Sequence, residues 1–226
     1  MTLNQIERNL FIINGNIKKI CRLYDRDSKK VNLTAVSKKF PVESIIQAIN
    51  ANCKIFAENY INEAFEKWPQ LKKDHPEVKL HFVGGLQSNK AAKAIELFDC
   101  IESLDSEKLA LEFKKQIAKS GDKSGPEFFV QVNIGQEEQK SGIDPLKVRE
   151  FVDFAKNECE LNITGLMCIP PVGEDPSLYF ALLAKIAKEC DLPNLSMGMT
   201  SDYEKAIGIG ANYVRIGTGI FGEREG

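Results

Sequence analysis

Short apolar runs typical of β-strands alternate with charged, amphipathic segments along almost the whole chain, and this alternation restricts the possible fold more than any other feature. The segments between the runs repeat apolar residues at helical spacing. The eight predicted strands are 32–37, 54–57, 80–84, 100–104, 128–134, 163–169, 195–199 and 213–217. The predicted helices between them are 41–51, 60–74, 88–98, 106–119, 145–158, 176–189 and 202–209. Strands that alternate with helices predict an α/β fold with parallel strand pairing.

Eight such units in a chain of 226 residues favour a closed (β/α)8 TIM barrel over the alternative, an open doubly wound sheet. Because no linker or low-complexity segment interrupts the alternation, we expect one domain over residues 1–226. An additional amphipathic helix is predicted at about 4–24, before the first strand. Since only a short segment follows the eighth strand, we expect no eighth outer helix there. The N-terminal helix then either takes that place or covers the bottom of the barrel.

The composition argues against several functional classes. Lys and Arg number 30 against 32 Asp and Glu, and no basic patch with interleaved aromatic residues occurs, so no nucleic acid is expected as a partner. No apolar run is long enough to span a bilayer, and the N-terminus lacks the apolar core of a signal peptide, so no membrane association is expected. Six scattered cysteines and only two histidines predict free thiols in a reducing cytoplasm and no metal site.

Polar residues occur at the C-terminal ends of several predicted strands, where the functional residues of a TIM barrel gather. The seventh strand is followed by two hydroxyls directly before a helix, where backbone N–H groups favour an anion. The eighth ends in RIGTG, which supplies a cation, a hydroxyl and glycines that allow close approach to a ligand. Of the residues at these strand ends, the candidate site residues are Lys38, Asn59, Thr200, Ser201, Arg215, Gly217 and Thr218. Because the last two loops form the recurrent phosphate site of this fold, a phosphate site is favoured over simple helix capping and turn formation.

The first strand runs into two lysines, in the sequence AVSKKFP. Lysine is costly to bury, so one interpretation places both side chains in a solvated loop. Opposite a phosphate site, however, a desolvated lysine can be held as a neutral amine that attacks an aldehyde. Pyridoxal 5'-phosphate (PLP) is a phosphorylated aldehyde. Adjacent strand residues point to opposite faces, so only one lysine reaches the mouth, and the periodicity does not choose between Lys38 and Lys39.

Seven stretches closely resemble the pyridoxal phosphate homeostasis protein family, whose members are single-domain relatives of the barrel domain of alanine racemase. They are AVSKKFP, FAENYINE, HFVGGLQSNK, QVNIGQEEQKSGI, GLMCIPP, SMGMTSDYEKAI and VRIGTGIFGERE, in the order that the family has. The resemblance implies a PLP-binding (β/α)8 barrel in the cytoplasm, acting in vitamin B6 and amino-acid homeostasis without established catalytic turnover. It also implies that PLP forms a Schiff base with Lys38, while Lys39 lies in the loop.

The same resemblance implies roles for the residues at the last two strand ends. Thr200 corresponds to the hydroxyl that binds the phosphate, and Gly217 and Thr218 to the contacts from strand eight. Arg215 is implied near the ring nitrogen, where its charge would disfavour a protonated pyridinium and weaken the electron sink that PLP catalysis uses. Three positions depart from the usual family residue, namely Ala57 for glycine, Cys168 for alanine and Thr200 for serine.

Four further residues are considered. Lys140 and Tyr60 each have a functional and a structural interpretation, and His81 and Trp68 are expected to have structural roles. Lys140, in QEEQKSGI, matches a family lysine that would offer a secondary amine for PLP transfer, but a surface-loop position is favoured because lysines are usually exposed. His81 is predicted to be a hydrogen-bonded residue of the core or the bottom face, and Trp68 to pack within its helix. Tyr60 either approaches the cofactor or packs at a helix start.

Three functions are compatible with a Schiff-base lysine in a barrel. A non-catalytic carrier or regulator of PLP is favoured, a PLP-dependent amino-acid racemase is the alternative, and a cofactor-free aldolase is opposed by the family motifs. A racemase of the related fold takes its opposing tyrosine from a second, β-rich domain, which we do not expect here. The expected partners are PLP, other B6 vitamers and PLP-accepting apo-enzymes, with the protein itself a monomer.

Overall fold

The computed structural model describes residues 4–120 and 125–223. Within them, eight parallel strands close into a barrel, and each strand pairs with its neighbours in the sequence. The strands are β1 (Asn32–Val36), β2 (Ile55–Glu58), β3 (Lys79–Phe82), β4 (Cys100–Leu104), β5 (Glu127–Val132), β6 (Ile163–Cys168), β7 (Asn194–Ser196) and β8 (Tyr213–Ile216). Because β1 pairs with β8, the predicted (β/α)8 barrel is confirmed and the open-sheet alternative is wrong.

Helices connect the strands and surround the barrel. They are α1 (Gln5–Leu23), α2 (Val42–Asn50), α3 (Ile61–Asp74), α4 (Ala91–Leu97), α5 (Glu107–Ser120), α6 (Val148–Asp153), α7 (Ser177–Glu189), α8 (Tyr203–Ile209) and α9 (Thr218–Phe221). Each longer helix buries one apolar stripe at a spacing of three or four residues, as α3 does with Ala64, Trp68 and Leu71. Among the helices of the described residues, none combines the length and the apolar composition needed to cross a membrane.

The N-terminal helix α1 completes the outer ring of helices. Its buried residues Leu10, Ile13 and Ile17 recur at helical spacing, and its start is fixed by a capping box between Asn4 and Glu7. Helix α1 contacts α2 on one side and α8 and α9 on the other, so it fills the gap between the last and the first units instead of covering the bottom. The predicted helix at 4–24 is confirmed, and the α-helix that follows β8 is a single turn.

Six of the eight strands end earlier at the mouth of the barrel than the apolar pattern predicts, whereas β2 ends one residue later and β4 ends as predicted. β1 ends at Val36 instead of residue 37, and β7 comprises three residues instead of five, so the polar residues that follow lie in loops. The predicted helix 145–158 is divided into a 3-10 turn, α6 and a π-helical segment (Phe154–Glu158). Asp144 caps the 3-10 turn, because its carboxylate accepts the Leu146 N–H at 2.8 Å.

Polar side chains meet inside the barrel. Glu102 on β4 and Ser196 on β7 are hydrogen bonded although their strands are not neighbours, so the two side chains meet across the interior. Apolar residues fill the adjoining space, where Phe129 packs edge to face against Tyr213 with ring centroids 5.5 Å apart. The apolar runs in the sequence do not distinguish this polar interior from an ordinary barrel core.

Candidate functional site

A cavity of about 420 Å³ opens at the C-terminal ends of the strands. All seven candidate site residues from the sequence line it, namely Lys38, Asn59, Thr200, Ser201, Arg215, Gly217 and Thr218. Four apolar residues that were not among the predicted site residues complete its walls, namely Val36, Val83, Ile169 and Met199. Parallel strands bring their C-terminal ends to one rim, so residues far apart in the sequence meet there. The cavity is therefore lined by one lysine side chain and by several hydroxyls.

The hydroxyls of the cavity come from the loop after β7 and the start of α9, which touch each other. Thr200 Oγ1 lies 3.4 Å from Thr218 Oγ1 and accepts the Gly219 N–H, also at 3.4 Å. A Cβ atom on Gly219 would come within 3.1 Å of Thr200 Cγ2, so a glycine allows the two loops to approach. The predicted helix at 202–209 begins at Tyr203, and Asp202 separates it from the hydroxyls and accepts the Met199 N–H at 2.6 Å.

Lys38 reaches the cavity from a turn and not from a strand. Residues 37–40, which we call the lysine turn, are closed by a hydrogen bond from the Phe40 N–H to the Ser37 carbonyl at 3.1 Å. Lys39 has a φ of +65° and is exposed, so the left-handed backbone there turns the chain away from the mouth. As expected, only one of the two lysines lines the cavity. Strand alternation is not the reason, because β1 ends at Val36, before both lysines.

Arg215 forms the floor of the cavity, and its guanidinium is held by three oxygen atoms. It donates to Ser196 Oγ at 2.6 Å and to the Cys168 carbonyl at 2.8 Å, and it lies 3.9 Å from Glu102 Oε2. Arg215 is only 4% exposed, so these oxygens replace the water that a surface arginine would have. The arginine is thus fixed in one orientation on β8.

Glu102 links Arg215 to His81 inside the barrel. Its Oε1 lies 2.7 Å from His81 Nδ1, and its Oε2 accepts the Ser196 hydroxyl at 2.5 Å. Burial by itself would raise the pKa of Glu102, but the hydrogen bond and charge of His81, with Arg215 and Ser196, hold this pKa below its ordinary value of 4.5. The prediction of His81 as a hydrogen-bonded core residue is confirmed.

Cys100 lies close enough to this pair to suggest a metal site. Ligand atoms of His81, Cys100 and Glu102 all fall within 4.8 Å of one another. Both Glu102 oxygens already accept hydrogen bonds, and burial raises the pKa of the Cys100 thiol well above its ordinary value, which keeps the sulfur protonated. With the Arg215 cation 3.9 Å from the same carboxylate, the group is better described as a hydrogen-bonded network.

Asn59 contributes a buried acceptor with no protein partner within the described residues. Its Oδ1 atom is inaccessible to water and accepts no hydrogen bond there. The Asn59 backbone is packed against Gly84 so tightly that a Cβ on this glycine would lie 2.1 Å from the Asn59 carbonyl oxygen. A buried acceptor of this kind is costly unless a ligand or a water donates to it.

Lys140 borders a second, smaller cavity of about 320 Å³ that shares Asn59, Val83 and Ile169 with the first. Its Nζ pairs with the Glu137 carboxylate and donates to the Pro170 carbonyl at 3.2 Å, and its side chain is 28% exposed. Lys140 therefore lies at the mouth but is paired with its own loop. The interpretation as a surface-loop lysine and the interpretation as a secondary amine both remain compatible with this position.

The two aromatic residues near the mouth have different positions. Trp68 is fully buried, as predicted, and its indole N–H donates to Glu58 Oε1 at 3.1 Å, a bond that the helical pattern does not indicate. Tyr60 is 52% exposed, precedes α3 and is not among the described residues that line the first cavity. Of its two interpretations, a place at the helix start agrees with the structure.

Comparison with known proteins gives one sequence family and two groups of structures. The family described as alanine racemase, N-terminal domain, matches residues 9–225. A relative named pyridoxal phosphate homeostasis protein, from Vibrio cholerae, is 35% identical, with 99% of this chain and 98% of the relative covered. A solved structure of PipY from Synechococcus elongatus with PLP bound has a TM-score of 0.77 at 33% identity and covers 92% of this chain and 100% of PipY.

Alanine racemase from Corynebacterium glutamicum has the same fold at lower identity. Its structure gives a TM-score of 0.70 at 15% identity and covers 98% of this chain but 62% of the racemase. At this identity the likeness shows a shared fold alone.

Proposed function

This chain belongs to the pyridoxal phosphate homeostasis protein family, which carries the alanine racemase N-terminal domain, and on that premise we propose that it binds PLP at the barrel mouth with Lys38 as covalent anchor. One observation carries the proposal. Seven residues predicted from the sequence line a single cavity, with a lysine amine and a cluster of hydroxyls on its walls. Its volume of about 420 Å³ lies within the range of small-ligand pockets, about 300–1,000 Å³.

The chemical groups of the cavity match those of PLP. Thr200, Ser201 and Thr218 offer hydroxyl donors for the phosphate. Val83, Ile169 and Met199 offer apolar surface for the ring, and the amide side chain of Asn59 lines the same cavity. When bound, PLP would supply an aldehyde that the Lys38 amine could hold covalently as a Schiff base, with one water lost. Burial raises the pKa of the nearby Cys168 thiol to about 12, so the thiol does not compete as a nucleophile.

Arg215 supports a carrier or regulator in preference to an enzyme. We infer that its fixed guanidinium faces the ring nitrogen, where a positive charge disfavours protonation of that nitrogen and weakens the ring as an electron sink. Among the described residues that line the cavity, only Lys38 and Arg215 are ionisable, and arginine does not release its proton in proteins. A racemase needs acid–base groups on both faces of its substrate, and this cavity offers one.

We expect negligible racemisation of alanine and other common amino acids by the PLP-loaded protein. The reason is the missing second acid–base group in the cavity. Chiral chromatography of L-alanine incubated with the loaded protein measures it, with the PLP-loaded Lys38→Ala variant as the control for background chemistry. Turnover in the range of ordinary enzymes, about 10 per second, would contradict the carrier assignment and favour the racemase.

Removal of the hydroxyls should weaken the hold on PLP without unfolding the barrel. Thr200→Ala and Thr218→Ala each delete a hydroxyl that can bond a charged oxygen, an interaction of about 1.5–3 kcal/mol, so dialysis should strip PLP from both variants faster than from the parent. Thr164→Ala is the matched control, because this hydroxyl lies near the start of β6, away from the mouth. Equal retention in all four proteins would place the phosphate elsewhere.

The proposed wider role assumes a cofactor that is bound but takes part in no catalytic turnover. We propose that the protein acts as a monomer in the cytoplasm, holds PLP and other phosphorylated B6 vitamers, and supplies PLP to apo-enzymes. Lys140 would then offer a second amine on the way out of the cavity, once released from Glu137. The visible spectrum of the purified protein tests the proposed function: we expect a PLP band that borohydride removes, and the absence of any band after incubation with PLP would contradict it.

A further inference from the structure

A second lysine holds the turn that carries Lys38. Lys67, on α3, donates from Nζ to the Ser37 carbonyl at 3.1 Å and to the Phe40 carbonyl at 3.3 Å. These carbonyls are the two ends of the lysine turn. One ammonium group therefore ties both ends of the turn to α3.

Two carboxylates fix Lys67 in its place. Its Nζ lies 2.7 Å from Glu58 Oε1 and 2.9 Å from Glu63 Oε1. The side chain of Lys67 is 10% exposed and that of Glu58 is fully buried. An ion pair removed from water is stable only if further hydrogen bonds satisfy both groups. The turn provides part of them, since its carbonyls bind Lys67 and the Lys39 N–H donates to the Glu63 carboxylate, while Glu58 Oε2 has no hydrogen-bond partner within the described residues.

Glu58 connects the same ion pair to the residue directly before Lys38. Its Oε1 accepts the Ser37 hydroxyl at 2.8 Å and the Trp68 indole N–H at 3.1 Å. Ser37 is thus bonded through its carbonyl to Lys67 and through its side chain to Glu58. Trp68 is the single tryptophan of the chain, so its fluorescence reports on this carboxylate.

We propose that Lys67 is a positioning residue that, together with Glu58, clamps the lysine turn and so fixes the direction from which the Lys38 amine meets an aldehyde in the cavity. This inference rests on the proposed role of Lys38. A turn with a left-handed lysine at its third position is strained and persists only when its surroundings hold it. Covalent bond formation needs the amine within about 3–3.5 Å of the carbon in a defined orientation, so a loosened turn weakens that bond first.

The clamp and the phosphate site lie on different loops. Lys67 contacts the lysine turn after β1, whereas the hydroxyls belong to the loop after β7 and to the start of α9. Loss of the clamp should therefore reduce the covalent contribution to PLP binding and spare the phosphate contribution. A merely structural ion pair would lower both together.

Pyridoxine 5'-phosphate separates the two contributions, because it has the ring and phosphate of PLP but an alcohol in place of the aldehyde. The ratio of its dissociation constant to that of PLP measures what the covalent bond adds. Lys67→Met should lower this ratio by about tenfold, the effect of one lost charge-assisted hydrogen bond, with the affinity for pyridoxine 5'-phosphate unchanged. Lys67→Arg keeps the cation and several donors and should restore most of the ratio.

Lys72→Met is the matched control. Lys72 lies on the same helix and also binds a carboxylate and a carbonyl, Asp99 Oδ2 at 2.8 Å and Leu97 O at 3.0 Å, but these precede β4 at the opposite end of the barrel. Its loss should leave the ratio at the parent value. Without any ligand, the Trp68 emission should shift in Lys67→Met and stay at the parent position in Lys72→Met.

An unchanged ratio in Lys67→Met, or an equal loss of affinity for both ligands, would overturn the clamp. If Lys67→Met does not fold, Ser37→Ala replaces it, since it removes only the hydroxyl bonded to Glu58. A smaller fall in the ratio would then support the clamp and no fall would overturn it. A parent protein with equal affinity for both ligands and no borohydride adduct would instead refute the role of Lys38, so the two failures are distinguishable.

Discussion

Lys38→Ala should abolish the borohydride-fixed PLP adduct, while Lys39→Ala should leave it intact. Lys38 lines the same cavity as the hydroxyls of Thr200 and Thr218, whereas Lys39 is exposed and has a left-handed backbone. Alanine and lysine both carry a Cβ atom and have similar backbone strain at a φ of +65°, so the Lys39 substitution keeps the conformation of the turn. Intact mass spectrometry after reduction measures the adduct directly.

The Lys38→Ala variant should still bind some PLP, reversibly and as the free aldehyde, through Thr200 and Thr218. Its free energy of unfolding without cofactor should change by no more than about 1 kcal/mol, because a half-buried amine is removed and no cavity in the core is created. A full adduct in Lys38→Ala would place the reactive amine on another lysine. Loss of the adduct in Lys39→Ala as well would show that the turn, and not one amine, had been removed.

Glu102→Ala should lower the free energy of unfolding by about 3–5 kcal/mol, as expected when one partner of a buried ion pair is deleted. Glu102 is fully buried, and its removal leaves His81 and Arg215 without their carboxylate. Urea denaturation measures the loss. Glu77→Ala is the control, because its pair with Lys54 at 3.3 Å is half exposed and should contribute about 0–1 kcal/mol. Equal small losses in both variants would show that the interior network adds no stability.

The pH dependence of stability gives an independent check on Glu102. Its pKa lies below 4.5 in the folded protein, so its stabilising contribution is present above that unfolded value and is lost as the pH falls through the folded value. As the pH falls below 4.5 the parent should therefore lose more stability than Glu102→Gln, which does not titrate. Identical pH profiles would contradict a lowered pKa.

The sequence predicts the barrel, and that the candidate site residues meet at its mouth, for a definite physical reason. Strand and helix periodicities differ, and parallel strands bring their C-terminal ends to one rim, so Lys38 and Thr200 can be placed together although 162 positions separate them. Motif resemblance then chooses Lys38 over Lys39, which periodicity does not. The structure gives the reason for that choice in the turn at residues 37–40.

The interior network and the clamp were not predictable from the same patterns. Ser196, on a strand of three residues, meets Glu102 because the closed barrel faces them across its interior, a relation between distant strands that no local period reports. Lys67 is one of several lysines on α3, and only the fold reveals that it bonds two carbonyls while Lys73 is exposed. Side-chain partners across elements depend on packing, which single-sequence patterns do not encode.

Peptide mapping of the parent protein after incubation with PLP and borohydride reduction tests the central claim most directly. We expect one PLP per chain, attached to the side chain of Lys38, with Lys39 and Lys140 unmodified. An adduct on Lys140 alone would make the second cavity the primary site and contradict the account. An adduct on Lys39 would contradict the geometry of the lysine turn, and no adduct on any lysine would contradict covalent PLP binding altogether.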